Sequence, residues 1–522
     1  MTVSAQLEGP SATPAPPIVC DPVDFGPGLR GFLRAGTSFL AVLTLLLIGL
    51  QFIFSMRNPD LNDPDIWWHM RNAQFLVQHH QFVAKDMYSF TVGGHPWINS
   101  EWLAEVPFYL AYRAFGLVGV VSLSFVLINV IFLLLLCFCY QKSRNFKASV
   151  AACSYVTFLA SVSFGPRTIL FGYIYLLTLL IILQRFRSRG TAAIWAIPPL
   201  FWLWANTHGS WSIGLIVFFL LGISGLIGGS WGRVDAIRWS PKQVRQLIVT
   251  GVASLTALFV NPLGWRVVYY PFDLAFKQRL NIAHVVEWAS VNFHDLRGKM
   301  VLVLLVALLL GALFRNLRWE LGDVLVLVFA IYTGLTYIRF LVLLGIIAGP
   351  ILARILDFFP PYHPELETPR VNAAVMLLLA AAMIYYWPRE SVIRKSIAET
   401  YPTSIVAYIE AHPPQGNILN FYLWGGYLGW QDPSLKVFVD SRVDVFEYAG
   451  VLRNYLDLLG TDNLNHRPDA ILDKYRIQYV LFPSPDSKNP LHAAGGLVYV
   501  LEHDPRWKKI YKDDVCVLLQ RQ

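Results

Sequence analysis

Apolar runs dominate the chain from residue 36 to residue 387. At a rise of about 1.5 Å per helical residue, many are long enough to cross the roughly 30 Å of a bilayer core. The pattern predicts spans at 36–56, 117–140, 149–164, 168–184, 191–206, 211–229, 247–261, 300–314, 321–337, 340–358 and 372–387. Several are short or interrupted by Gly or Pro, as suits segments packed inside a bundle.

After residue 387 the pattern changes. Helical stretches at 403–411 and 469–475 alternate with β-branched and aromatic runs at 436–439, 478–482, 497–501 and 515–519, bounded by Pro, Gly or Asp. The predicted fold is mostly α: a polytopic membrane helix bundle of about 11 spans over 36–387, carrying a long outer loop at 57–116. A small α/β domain over 388–522 follows outside the membrane. The stretch 1–35, rich in Pro, Ser and Ala, reads as a disordered cytoplasmic tail. The first apolar run starts too late for a signal peptide and is long enough to stay as an anchor.

Composition supports a membrane protein. Of 522 residues, 55% are hydrophobic and 15% charged, with mean hydropathy +0.47, whereas soluble domains carry about 25% charged residues. The net charge of +8 would suit nucleic acid if it formed one patch. Instead Lys142, Arg144 and Lys147, then Arg185, Arg187 and Arg189, then Arg233, Arg238, Lys242 and Arg245, then Arg315 and Arg318 fall in short loops. With Arg30 and Arg34 they share one side of the predicted bundle, which the positive-inside rule makes cytoplasmic. The expectation is a multi-pass protein of a bacterial inner membrane with a cytoplasmic N-terminus, an extracytoplasmic C-terminal domain and no nucleic-acid partner. The five cysteines show no disulfide or metal-site spacing.

The polar residues that suggest chemistry gather on the outer side. Asp60, Asp63, Asp65, Trp67, Trp68 and His69 follow the first span directly, and ionisable groups at a membrane boundary are costly and tend to be functional. A helix starting at Asp65 would place Asp65 and His69 on one face. Asp86, His95-Pro96-Trp97, Glu101 and Glu105 lie further along the same loop. Such a loop can bring Asp65 toward Glu101, and partial desolvation would raise a carboxylate toward the range of a general base. A plain interfacial helix pair, with its Trp residues at headgroup level, accounts for the same residues without chemistry. Asp60 and Asp63 suit turns beside Pro59 and Pro64.

His208 ends an aromatic helix on this side, as a site residue or a cap. Arg167 and Arg339 are isolated cations at outer span ends, placed to snorkel or to clamp a phosphate. Glu287 is an acid or a cap, and Asp440-Ser441-Arg442-Val443-Asp444 reads as a strand-end salt bridge. The candidate catalytic residues are Asp65, Glu101 and His69. The candidate substrate- or phosphate-binding residues are Arg167, His208, Arg339, Glu287, Trp68 and Asp86. No Walker motif, Rossmann glycine fingerprint, His-Glu-x-x-His or Gly-x-Ser-x-Gly occurs, which argues against ATP-driven transport, zinc proteolysis and serine hydrolysis.

The order of these features resembles the GT-C superfamily of membrane glycosyltransferases, which includes protein mannosyltransferases, lipid A aminoarabinose transferases and oligosaccharyltransferases. The resemblance rests on the acidic stretch 59–68 and on His95-Pro96-Trp97-Ile98-Asn99-Ser100-Glu101-Trp102 before the second helix. Trp204-Ala205-Asn206-Thr207-His208-Gly209, Asn261-Pro262-Leu263-Gly264-Trp265, Glu287-Trp288 and Val437-Phe438-Val439-Asp440-Ser441-Arg442 add to it. The Lys-Pro-Pro-Leu type run of some relatives is absent. The resemblance implies a polyprenyl-phosphate-linked sugar donor and an acceptor hydroxyl on a glycan, lipid or protein. It further implies Asp65 as general base and inversion at the sugar; by their location alone, Arg167 or Arg339 would stabilise the departing phosphate. A divalent cation, Mg or Mn, serves some relatives and not others. Two alternatives stand beside this reading: a flippase for lipid-linked sugars, and a non-catalytic envelope assembly protein that binds partners through its tail.

Overall fold

The computed structural model describes residues 28–56, 61, 63–190, 192–360, 362–460, 468–490 and 496–522. Asp60 therefore lies outside the described residues, as does most of the expected tail. The end of that tail forms the helix Gly28–Gly36.

Six helices are long and apolar enough to cross a membrane: Phe39–Met56, Trp102–Ser143, Phe146–Ser163, Ile169–Arg189, Leu296–Phe314 and Ile338–Ile355. A seventh span arises if Pro369–Tyr385 and Glu390–Thr400, bent by 54°, count as one. The expected count of about 11 is therefore not reproduced among the described residues. Ala193–Ala205, Trp211–Ile223 and Leu321–Thr336 are apolar but shorter, and a 16-residue helix reaches only about 24 Å. Helix Leu341–Ile355 is buried from Leu341 to Ala353 and forms the centre of the bundle.

The helix Trp102–Ser143 breaks at Phe115 and Gly116. Gly116 takes φ 61° and ψ −150°, a combination open essentially to glycine alone. The break separates the segment that carries Glu105 from the segment that runs through the bundle.

In the tail, a four-stranded sheet has the order Asn417–Asn420, Ile477–Pro483, Cys516–Arg521, Trp507–Lys512. The first pair is parallel and the other two antiparallel. Thr403–Ala411 and Asp469–Lys474 are helices, as the sequence predicts. Two expected strands differ. The run at 497–501 is the helix Leu497–Glu502, which buries Leu497, Val498 and Leu501, a helical spacing. The run at 436–439 joins no sheet. Val437 instead donates its N–H to the carbonyl of Tyr88 (3.1 Å) and accepts from the N–H of Phe90 (3.1 Å), binding the tail to the first outer loop.

That loop consists of helix Asp65–His79, a turn closed by Asp86 N–H to His95 O and Trp97 N–H to Ala84 O (both 2.9 Å), and the entry to the next helix. The loop helix packs between the bundle and the tail helix Gly425–Gln431. Side chains would prevent that approach. A Cβ on Gly426 would lie 2.8 Å from the carbonyl oxygen of Pro64 at the start of the loop helix, while one on Gly425 would meet the tail's own Val439 carbonyl at 2.2 Å.

Candidate active site

The end of the first outer loop's acidic run is folded back on itself. Asp63 Oδ1 accepts the N–H of Asp65 (3.0 Å), which starts the loop helix. Its Oδ2 meets Arg167 Nε at 2.5 Å. Arg167 also reaches Glu287 Oε1 through Nη1 at 2.6 Å, so one guanidinium joins the first loop to the outer loop before helix Leu296–Phe314. Burial opposes its charge, but Asp63 and Glu287 hold it firmly protonated. Burial alone would raise the carboxyl of Glu287, and the charges of Arg167 and Arg339 outweigh it and keep the group below its ordinary value.

Asp65 sits beside this pair. The indole N–H of Trp68 donates to Asp65 Oδ1 (3.1 Å) and to Ser441 Oγ of the tail (3.0 Å). Burial, then the nearby charge of Asp63, lifts the Asp65 carboxyl to about 7, against the pull of His69 and the Ser441 hydroxyl.

His69, one turn along, is buried against Trp68 with ring centroids 3.7 Å apart. Its Nδ1 lies 3.0 Å from Glu105 Oε1 and its Nε2 lies 3.4 Å from Glu101 Oε2. Burial by itself would disfavour the imidazolium. The hydrogen bond with Glu105 and the charges of Glu101 and Glu105 prevail and raise its pKa. Glu105, 1% exposed, also accepts from Asn72 (2.8 Å) and Asn99 (3.1 Å). Among the described residues its side-chain partners all come from the loop, so it organises the loop around His69.

Glu101 is shared. Thr168 Oγ1 donates to it at 2.5 Å, and His208 Nε2 approaches at 3.5 Å. The N–H of Ser210 donates to His208 Nδ1 (3.0 Å), which leaves the proton on Nε2, toward Glu101. Burial depresses His208 to about 4, so its ring is neutral at pH 7. The turn is held to the first loop by Trp102 Nε1 to Asn206 Oδ1 (3.0 Å) and Leu103 N–H to Asn206 O (3.1 Å). Arg339 lies with its guanidinium 4.3 Å above the ring of Trp288. Among the described ion pairs it has no carboxylate partner.

Asp65, His69, Glu101, His208, Arg167, Glu287 and Trp68 thus meet in one place, with Arg339 within electrostatic reach of His208 and Glu287. Asp86, expected to bind substrate, does not join this group. It is sealed in the tail contact, bonding to the N–H and hydroxyl of Ser89 (3.0 and 2.8 Å) and to Arg442 Nη2 (2.5 Å). Arg442, 1% exposed, also binds Asp440 and lies over Tyr88 and Trp97 (4.7 and 4.8 Å). The strand-end cluster is structural, as expected, yet it delivers Ser441 to Asp65. Asp444, two residues on, accepts from Tyr270 (3.3 Å), and Glu447 accepts the N–H groups of Leu280 and Asn281 (2.9 and 2.8 Å). The segment 440–447 therefore ties down both outer loops. Glu105, Ser441 and Thr168 were missed as site residues. Only Glu105 carried a signal, its i+4 spacing from Glu101.

The donor set does not form a ready metal site. Among the described residues no three His, Cys, Asp or Glu side chains converge as ligands, and Asp63 and Glu287 are both taken up by Arg167.

The helix bundle, with the acidic loop and the α/β tail closed over one end, has counterparts among solved structures. Among solved structures the chain is similar to the oligosaccharyltransferase of Archaeoglobus fulgidus. With the form tethered by a disulfide to an acceptor peptide containing the NVT sequon, the TM-score is 0.53 at 10% identity, covering 85% of this chain and 69% of that one. With the form in complex with an inhibitory peptide and a dolichol-phosphate, the TM-score is 0.52 at 10% identity and the same coverage. At this identity the likeness is one of fold. No protein-family model matches the sequence, and no curated protein matches it.

Proposed function

We propose that this protein is a membrane glycosyltransferase that moves a sugar from a polyprenyl-phosphate-linked donor to an acceptor hydroxyl, with Asp65 as general base. The observation that carries this reading is a half-buried carboxyl at the mouth of the first outer loop, bonded by Trp68 beside Ser441 and with its pKa lifted to about 7. A general base works best with a pKa near the operating pH. The acceptor oxygen attacks the anomeric carbon while its proton passes to Asp65. The bond from that carbon to the phosphate oxygen breaks, and the lipid phosphate leaves with the electron pair. One displacement inverts the sugar.

Arg339 is the cation best placed for the departing phosphate, because its planar fork is oriented by Trp288 and has no described carboxylate partner. Arg167 is already committed to Asp63 and Glu287 and serves to hold the two loops together. His208 offers a neutral N–H donor. The archaeal neighbours bind a dolichol-phosphate and an acceptor peptide, which supports a lipid-phosphate donor here. The acceptor is a glycan, lipid or protein. The site faces the extracytoplasmic side of a bacterial inner membrane, the bundle spans 36–387 and the tail domain 388–522. No role is assigned to Mg or Mn.

The test is Asp65→Asn in full-length protein supplied with a radiolabelled polyprenyl-phosphate hexose and membrane extract as acceptor. Transfer should fall by about 10²–10⁴, with an unchanged gel-filtration profile and melting temperature. Transfer at the wild-type rate would end the assignment.

A further inference from the structure

The bundle holds a second polar centre at the end remote from Asp65. Glu101 and Arg167 precede the helices that end near Lys142 and Arg187, and Arg339 precedes the one that ends near Arg354. Five helices, Trp102–Ser143, Ile169–Arg189, Trp211–Ile223, Leu321–Thr336 and Leu341–Ile355, contact one another in a ring and enclose a cavity there of about 40 Å³. That is room for more than one water, since one water needs ~10–15 Å³. Lys142, Arg187, Arg354, Glu320 and Asp323 line it above apolar walls.

The charges do not cancel. Lys142 Nζ bonds to both oxygens of Asp323 (3.2 and 3.1 Å). Glu320 stands 3.6 Å from Lys142 and 3.6 Å from Arg187, beyond hydrogen-bond length from either. Arg354 donates to the carbonyl of Arg318 (2.5 Å) and has no carboxylate partner among the described ion pairs. Three cations face two carboxylates. Arg187, with its side chain only 10% exposed, is held over Trp239 at 4.8 Å and donates to the carbonyl of Ile237 (3.2 Å), but its Nε has no acceptor. A buried guanidinium N–H without an acceptor calls for a ligand.

We propose that this cavity binds a phosphate group, with the guanidinium groups of Arg187 and Arg354 as its principal donors. A guanidinium fork matches phosphate geometry. The surrounding face also carries Arg185, Arg189, Arg238, Lys242 and Arg245, which raises the local concentration of anions. The phosphate comes from an anionic phospholipid head group at that membrane boundary, where basic pockets between helices take such groups, or from free phosphate. It closes the ring of five helices at the end opposite the catalytic site.

The experiment measures melting temperature and native mass spectra of the full-length protein in neutral detergent, titrated with inorganic phosphate or with mixed micelles containing phosphatidylglycerol. Wild-type protein should melt higher and retain one bound anion in one of the two arms. Stabilisation by inorganic phosphate alone identifies free phosphate. Stabilisation by phosphatidylglycerol alone identifies the head group. Arg187→Gln should weaken binding at least tenfold. Arg354→Gln leaves every carboxylate pair intact, so it reports on binding even if the first variant folds poorly. No stabilisation in either arm, or equal binding by wild type and both variants, overturns the proposal and leaves the cavity to water. Either result is independent of Asp65→Asn.

Discussion

The Asp65 carboxyl owes its raised pKa to burial, with the charge of Asp63 adding to it, and Ser441 holds it down by hydrogen bonding. In the proposed role of general base it must be ionised, so the rate of transfer should rise with pH along a limb centred near 7. Ser441→Ala removes one of the groups that, with His69, favour the ionised form, and the limb should move to higher pH in a pH–rate profile. His69 carries the opposite sign. Its folded pKa lies above 6.5, so its contribution to stability is complete below pH 6.5 and is lost as pH rises through the folded value. Glu105→Gln should therefore lower the melting temperature more at pH 5.5 than at pH 8.5. An equal loss at both would show that Glu105 does not hold the imidazolium. Asp65, His69 and Glu101 stand out in the sequence as ionisable residues in an apolar chain, and the structure brings them together. Asp86 looked the same in sequence, and only its distant partner Arg442 reveals that it is structural.

Between elements, the contact that matters most is the segment 440–447 against the two outer loops. Arg442 neutralises Asp86 and Asp440 in a site where all three side chains are at most 1% exposed. Removing one partner of such a buried pair typically costs about 3–5 kcal/mol, because a charge is left behind unpaired. Arg442→Ala should loosen the tail from the loop and expose the turn around Asp86 to limited proteolysis, with a matching loss of transfer as Ser441 withdraws from Asp65. Helix assignments in the tail were legible where periodicity was strong, as at Thr403–Ala411. The run at 497–501 misled because five apolar or aromatic residues in a row fit either element, and the docking of its Leu497, Val498 and Leu501 face decided for helix.

At the scale of the whole molecule, the bundle separates two polar ends: the site under the tail, and the basic end around Lys142, Arg187 and Arg354. The proposed orientation predicts that a cysteine placed at Lys436 reacts with an impermeant maleimide from outside intact cells, and that one placed at Arg144 reacts only after permeabilisation. The reverse labelling would invert the topology and put the site in the cytoplasm.

The sequence by itself determined that the chain is a membrane helix bundle with an acidic first loop and a mixed tail. Hydrophobic run length and helical spacing are properties of neighbours along the chain, and water and lipid act on them locally. Tertiary structure decided how many helices are long enough to span and which carboxylate is buried enough to change its pKa. It also decided which cations are spent on structure. Those outcomes depend on pairs such as Asp63 with Arg167, Trp68 with Ser441 and Asp86 with Arg442. Such residues meet only after the bundle and the tail have closed on the loop, and nothing near them in sequence records that they do.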